Sequence, residues 1–296
     1  MNGIVTIIKI FAVLFVVGII GTLVLFLKKF QEDFSDPKEV ARKPLEEIIE
    51  ENEQINFEAG QYEFNRALEL IALDDIEEAK EKLNLIENLY PDSNHAPEAR
   101  RILGEINLDE ILSIENMENK KIYRVSPGEG YLKIATENKT TLDSMMFLNG
   151  LTEFGNLHAG DELVVMPLDF KLVVNLPKMR VELFHRDQEK KEHLFAKDYP
   201  IRKLELGRMG SGHHQARITR KHGYLEGKTY PPTHQSYRHA RKILGLKVGR
   251  STIELRPLSG DENLDSGPGI FLAPPDMEEL SMLIRVGNEV EVRITG

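Results

Sequence analysis

From Ile4 to Leu27 the chain reads IVTIIKIFAVLFVVGIIGTLVLFL, apolar apart from Thr6, Lys9 and Thr22. As a helix this run is roughly 36 Å long, more than the ~30 Å hydrocarbon core of a bilayer, and it predicts a membrane-spanning segment. A cleaved signal peptide is the alternative. The run exceeds the usual apolar region of such peptides, however, and KKFQEDF follows where a small-residue cleavage site would stand. Lys28 and Lys29, set against Lys9 alone, favour a cytoplasmic C-terminal side by the positive-inside bias.

The remainder is long enough for two or three domains. Its charge is divided: residues 31–120 hold about 25 acidic and 9 basic side chains, whereas residues 200–250 hold about 12 basic and 2 acidic, within a net charge of -10. The chain has no cysteine, which excludes disulfides, thiolate metal sites and a thiol nucleophile.

Residues 28–44 are charged and broken by Pro37 and Pro44, and read as a linker. Over 45–118 apolar residues recur at three and four: Ala67, Leu70 and Ile71, then Ile76, Ala79, Leu83, Ile86 and Leu89. Asp75 with Glu78 predicts a capping box, and Pro97 a first helical turn. Gly60, Tyr62, Ala67 and Leu68, then Ala79 and Leu83, Tyr90-Pro91, Ala99 and Leu103-Gly104 resemble a tetratricopeptide-type repeat without its Trp. The resemblance covers about one and a half repeats, fewer than stacked arrays need. It implies a helical hairpin that spaces domains or dimerises, or else a surface for a protein partner.

At Lys121 the pattern changes. Ile122 to Val125 reads as a strand, Pro127-Gly128 as a turn, Tyr131 to Ala135 as a helix and Thr141 to Leu148 as another; Asn149-Gly150 makes a turn and Glu162 to Met166 a closing strand. Over 121–167 the motifs YRVSPGE, LKIA, LDSMMFLNGL and LHAGDELVVMP closely resemble a LysM domain, with Glu129 for the usual Asp and Gly130 for the usual Ser or Thr. The resemblance implies binding of N-acetylglucosamine-containing glycan, as in peptidoglycan. The implied contacts are Gly128, Glu129, Gly130, Tyr131 and Leu132 on one loop and Asn149, Gly150 and Leu151 on the other. Backbone groups there would pair with N-acetyl amides while apolar side chains cover the sugar. Leu132, Ile134 and Leu148 are also expected in the core.

Beyond Pro167 the chain reads as mostly β, with strands at Leu172–Asn175, Val181–His185, about His193–Tyr199, Thr252–Leu255 and in EVEVRI, and a short helix around Asp276–Ile284. NLPKMRVELF, Leu244-Gly245 read as a turn, and DMEELSMLIRVGNEVEVRI resemble the L,D-transpeptidase catalytic domain over 170–296, most strongly at its two ends. That family crosslinks peptidoglycan stem peptides with an S-x-G-C-x-R motif preceded by His-Gly. Aligning Ser266 with the motif serine sets Gly269 at the cysteine and Phe271 at the arginine. Arg256 and Pro257 stand near the His-Gly pair, and Pro268 removes a backbone donor from the loop. Without thiolate, proton shuttle or oxyanion partner the family's chemistry is not expected, and no catalytic residue is assigned.

Residues 202–250 read as a basic, histidine-rich loop with His213, His214, His222, His234 and His239, whose irregular spacing fits no metal motif. Tyr224, Tyr230 and Tyr237 interleave with Arg and Lys without the fuller signature of a nucleic-acid module. Arg217, Arg220 and Lys221 are candidate contacts for an anionic polymer.

The expected fold is therefore multidomain α+β: a transmembrane helix, an α-helical hairpin, a β-α-α-β LysM module and a mostly β, catalytically degenerate L,D-transpeptidase-like domain. The expected function is non-catalytic tethering of the bacterial cytoplasmic membrane to peptidoglycan. The chain would cross the membrane once with its C-terminal domains extracytoplasmic, against the weak lysine bias, and would need no cofactor or metal. An enzyme with an unrecognised site and an anion-binding scaffold working through 202–250 are the alternatives.

Overall fold

A computed structural model describes residues 58–187, 191–207, 211–260 and 265–294. The apolar run at 4–27 and the linker at 28–44 lie outside these, and among the described residues no helix is long and apolar enough to cross a membrane. Three helices come first, α1 (Gln61–Ala72), α2 (Ile76–Leu89) and α3 (Ala96–Leu112). The three-and-four spacing buries Ala67, Leu83, Ile86, Ala99 and Leu103 among them. Asp75 does sit at the N-cap of α2, but its side chain makes no capping hydrogen bond. Tyr62 and Leu68 of the repeat-like pattern are exposed.

The predicted β-α-α-β order appears as β1 (Lys121–Arg124), α4 (Tyr131–Glu137), α5 (Leu142–Leu148) and β2 (Glu162–Val165), with β1 and β2 antiparallel. Val125, Ile134, Ala135, Met145, Leu163 and Val165 make its small core. Thr141 caps α5, its hydroxyl accepting from the Ser144 N–H at 3.0 Å. Gly130 caps α4 without a side chain.

The rest is a mixed, mostly antiparallel sheet: β3 (Phe170–Asn175), β4 (Arg180–Arg186), β5 (His193–Pro200), β6 (Lys203–Glu205), β7 (His213–Leu225), β8 (Lys228–Tyr230), β9 (Arg241–Val248), β10 (Ser251–Pro257), β11 (Gly269–Leu272) and β12 (Glu289–Arg293), with helix α6 (Pro274–Leu283). The strand order is 5-4-3-12-7-9-10-11-6, with β8 paired to β7. The last strand thus lies in the middle, parallel to β3 and antiparallel to β7. One face packs on Met277, Leu280 and Leu283 of α6, on Leu108 and Leu112 of α3 and on Leu148 of α5.

Two expectations are corrected here. The basic stretch 202–250 is sheet rather than loop over most of its described length, with β7 and β9 at its centre. Leu244-Gly245 is not a turn but the middle of β9. Gly245 is small for a reason of contact: a Cβ there would lie 3.2 Å from Arg220 Cβ on the neighbouring strand.

Candidate functional site

The two loops of the β-α-α-β unit stand side by side. Tyr131, at the start of α4, packs on Phe154, in the connection from α5 to β2, with ring centroids 4.6 Å apart. Phe154 in turn lies 5.0 Å from the guanidinium of Arg238, which donates to the Thr152 carbonyl at 2.6 Å. Arg238 belongs to a 3-10 turn, Gln235–His239, of the large β region, so that region holds the second loop in place. Neither Phe154 nor Arg238 was expected from the sequence; the lone aromatic in the polar stretch TEFGN was the available signal.

The eight implied glycan contacts divide by their partners. Glu129 is committed within its own unit: it accepts from the Ser126 N–H at 2.9 Å and the Tyr123 hydroxyl at 2.9 Å, and pairs with Lys133 at 3.2 Å. Those three groups hold its carboxyl below the usual carboxylate range. Asn149 is a staple, its amide donating to the Met145 and Val164 carbonyls at 2.7 and 2.8 Å and accepting from the Val164 N–H at 2.7 Å. Gly150 and Leu151 close the C-terminus of α5, their N–H groups donating to Phe147 and Met146 carbonyls.

At Gly128, Gly130 and Gly150 nothing lies within 4 Å of where a Cβ would stand, so the backbone is open to approach. Gly128 and Gly150, at φ 79° and 60°, also need glycine for their turns. Leu132 is 53 % exposed, which corrects its expected place in the core; Ile134 and Leu148 are buried as expected.

In the β region, Gly269 opens β11 and is buried. A Cβ there would meet Arg256 Nε at 3.1 Å and the Glu254 carbonyl at 3.2 Å. Arg256 fills this space and donates to the carbonyls of Ser266 and Pro268 at 3.3 and 3.2 Å. Phe271 is fully buried, with the charged ends of Lys203 and Arg256 5.3 and 5.4 Å from its ring centre. The Arg256 guanidinium thus occupies the space beside Gly269.

The basic residues proposed for an anionic polymer are not equivalent. Arg217 and Arg220 are exposed, but Lys221 is buried, and it donates to the Ser281 carbonyl near the end of α6 and to Asp143 of α5 at 3.3 Å. It therefore joins units and is not free for ligand. Tyr237 is likewise core, 1 % exposed. His234 caps the 3-10 turn, its Nδ1 accepting from the Ser236 N–H at 3.0 Å.

No protein-family model and no curated protein matches the sequence. Among solved structures the chain is similar to Bdellovibrio bacteriovorus Bd1075, at 13 % identity over 43 % of this chain and 48 % of that one, with a TM-score of 0.29. It is similar to an L,D-transpeptidase from Stackebrandtia nassauensis, at 16 % identity over 42 % and 55 %, TM-score 0.27. An L,D-transpeptidase from Mycobacterium smegmatis matches at 8 % identity over 60 % and 82 %, TM-score 0.27. The chain spans about half the length of the first two.

Proposed function

We propose that this protein is a non-catalytic envelope protein that binds N-acetylglucosamine-containing glycan, as in peptidoglycan, between the two loops of its β-α-α-β unit. The observation that carries the reading is the open backbone at Gly128, Gly130 and Gly150 beside the Tyr131–Phe154 pair. N-acetyl amides need close approach to backbone donors and acceptors, and a sugar face needs an exposed apolar or aromatic wall; Leu132 adds to that wall. Absence of a nucleophile at Gly269 supports a scaffold role for the β region. The apolar run at 4–27 would anchor the chain in the cytoplasmic membrane, with glycan met on the outer side.

The test is co-sedimentation of the full chain, in neutral detergent, with purified peptidoglycan. Leu132→Asp and Gly130→Val add a charge and a side chain where space is open, so both leave the fold intact and reduce pelleting several-fold. Absence of pelleting, or equal pelleting of folded variants, overturns the glycan reading. Turnover of a stem-peptide substrate by the full chain would overturn the non-catalytic one.

A further inference from the structure

We propose that the cleft where the helical layer meets strands β3, β4 and β5 is a second binding site, which takes one uncharged hexopyranose ring. It shares no residue with the glycan loops and does not rest on that reading.

The cleft is built from three parts of the chain. Helix α3 brings Asn107 and Ile111, the connection from α3 to β1 brings Asn116 and Asn119, and the strands bring Phe170 and His185. At about 260 Å³ it lies just under the roughly 300–1,000 Å³ of pockets for drug-sized ligands, room for a single ring and not for a chain.

The charged groups of the lining do not select an ion. Glu110 pairs with Lys80 at 2.6 Å and Asp169 with Arg285 at 3.0 Å. Glu118 is exposed and acts on the nearby Lys120 ammonium, favouring its charged form, and Asp187 is not free. Arg186, the one lining cation with no ion pair among the described residues, is exposed and stands among these four carboxylates, which disfavours an anion.

Neutral groups with unused hydrogen-bonding capacity remain. Asn107 donates to the Phe195 carbonyl at 3.2 Å, and Asn116 accepts from the Glu118 N–H at 2.9 Å. The Asn107 oxygen, the Asn116 nitrogen, the Asn119 amide and the ring nitrogens of His185 have no partner among the described residues. Burial pushes the His185 pKa below its ordinary value, against the pull of Glu118, Asp187 and Glu110, so the ring is neutral at pH 7 with one donor and one acceptor. A neutral lining that offers both donors and acceptors matches hydroxyl groups, each of which does both. Phe170 and Leu194 supply the apolar wall that the C–H face of a pyranose needs.

The test is saturation-transfer NMR of the full chain, in a polyoxyethylene detergent that carries no sugar, with the methyl glycosides of glucose, galactose and mannose. At least one is expected to saturate in the millimolar range. Its trisaccharide, titrated in the same way, distinguishes two sources of the ring: tighter binding marks the end of a glycan chain, and equal or weaker binding a free sugar. His185→Phe keeps a ring and removes both nitrogens, and Asn116→Asp keeps the accepting oxygen and removes the amide donor. Each is expected to keep the melting temperature and to weaken binding several-fold, through the loss of neutral hydrogen bonds. Leu132→Asp, on the glycan loops, changes it less than about twofold. Failure of all three glycosides to saturate the protein overturns the proposal. So does unchanged binding in both cleft variants, or a loss in Leu132→Asp as large as theirs.

Discussion

Glu291 shows how a single carboxylate is held in the middle of the sheet. It accepts from Arg293 at 2.7 Å and from Lys171 at 3.1 Å, with His213 Nδ1 3.5 Å away. The Arg293 hydrogen bond, then Lys171, outweigh burial and bring its pKa down from 4.5 to about 2. A carboxyl whose pKa is depressed on folding stabilises the fold above its unfolded pKa, and that contribution fades as pH falls from 4.5 through about 2. Glu291→Gln should therefore be less stable than the parent at pH 7, and the two should converge toward pH 2. Burial also lowers the pKa of His185, His193 and His222, so stability falls below pH 6.5 as these side chains are charged. Those losses are common to both proteins and leave the difference between them intact. Urea unfolding at a series of pH values measures it, and a gap that stays constant down to pH 2 would refute the assignment.

At the scale of elements, α3 is the piece that ties the helical layer to the sheet. Gly104 lets it lie against β5: a Cβ there would stand 3.2 Å from both Cα and Cγ of Lys197. Around that contact Arg100 pairs with Glu87 at 2.8 Å and Asp198 at 2.9 Å and lies 3.9 Å over the Phe195 ring, while Lys197 pairs with Glu105 at 2.6 Å. Gly104→Ala gains about 1 kcal/mol of helix propensity but crowds backbone, at a cost of about 1–3 kcal/mol. A net loss of about 1 kcal/mol is expected, read as a lower denaturation midpoint; a stabilised variant would show that the helix is free to shift. Such elements were legible where the pattern is local: the three helices and the strand and helix order of 121–167 follow from spacing and turn residues. β7 was not, for two physical reasons. A bulge between Ile218 and Arg220 reverses the alternation, so Ala216 and Ile218 point inward before it and Lys221 and Gly223 after it. Lys221 on β7 and Lys242 on β9 are also buried, bonded to backbone carbonyls, so inward positions carry the charges that a sequence pattern assigns to solvent. For the candidate site, the positions of the two loops of 121–167 were legible from their turn residues, whereas the Arg238 brace on the second loop comes from a segment 86 residues away that no local pattern contains.

Across the described molecule the helical layer and the β-α-α-β unit each keep a small core, and each also lends residues to the large core of the β region. Leu108 and Leu112 of α3 and Leu148 of α5 are buried in the same cluster as Leu172, Leu244 and Leu280 of the β region. Polar contacts reinforce the joins: the Thr141 hydroxyl donates to the Met282 carbonyl at 2.7 Å, and the Leu168 N–H donates to the Lys139 carbonyl at 2.9 Å. A two-stranded unit as small as 121–167 has little core of its own, so its stability derives in part from this docking. The β-α-α-β unit should therefore open together with the sheet and not before it. Leu148→Ala, which removes a buried side chain at the junction, should cost about 2–5 kcal/mol and lower the protection of both regions alike. Hydrogen exchange on the full chain at rising denaturant, followed by mass spectrometry, compares peptides from 121–167 with peptides from β9 and β10. A common opening free energy for the slowest amides in both regions is the expected result. If amides of the β-α-α-β unit open at lower denaturant while β9 stays protected, the unit is a separate domain resting on the sheet, and the Arg238 and Thr141 contacts only position it.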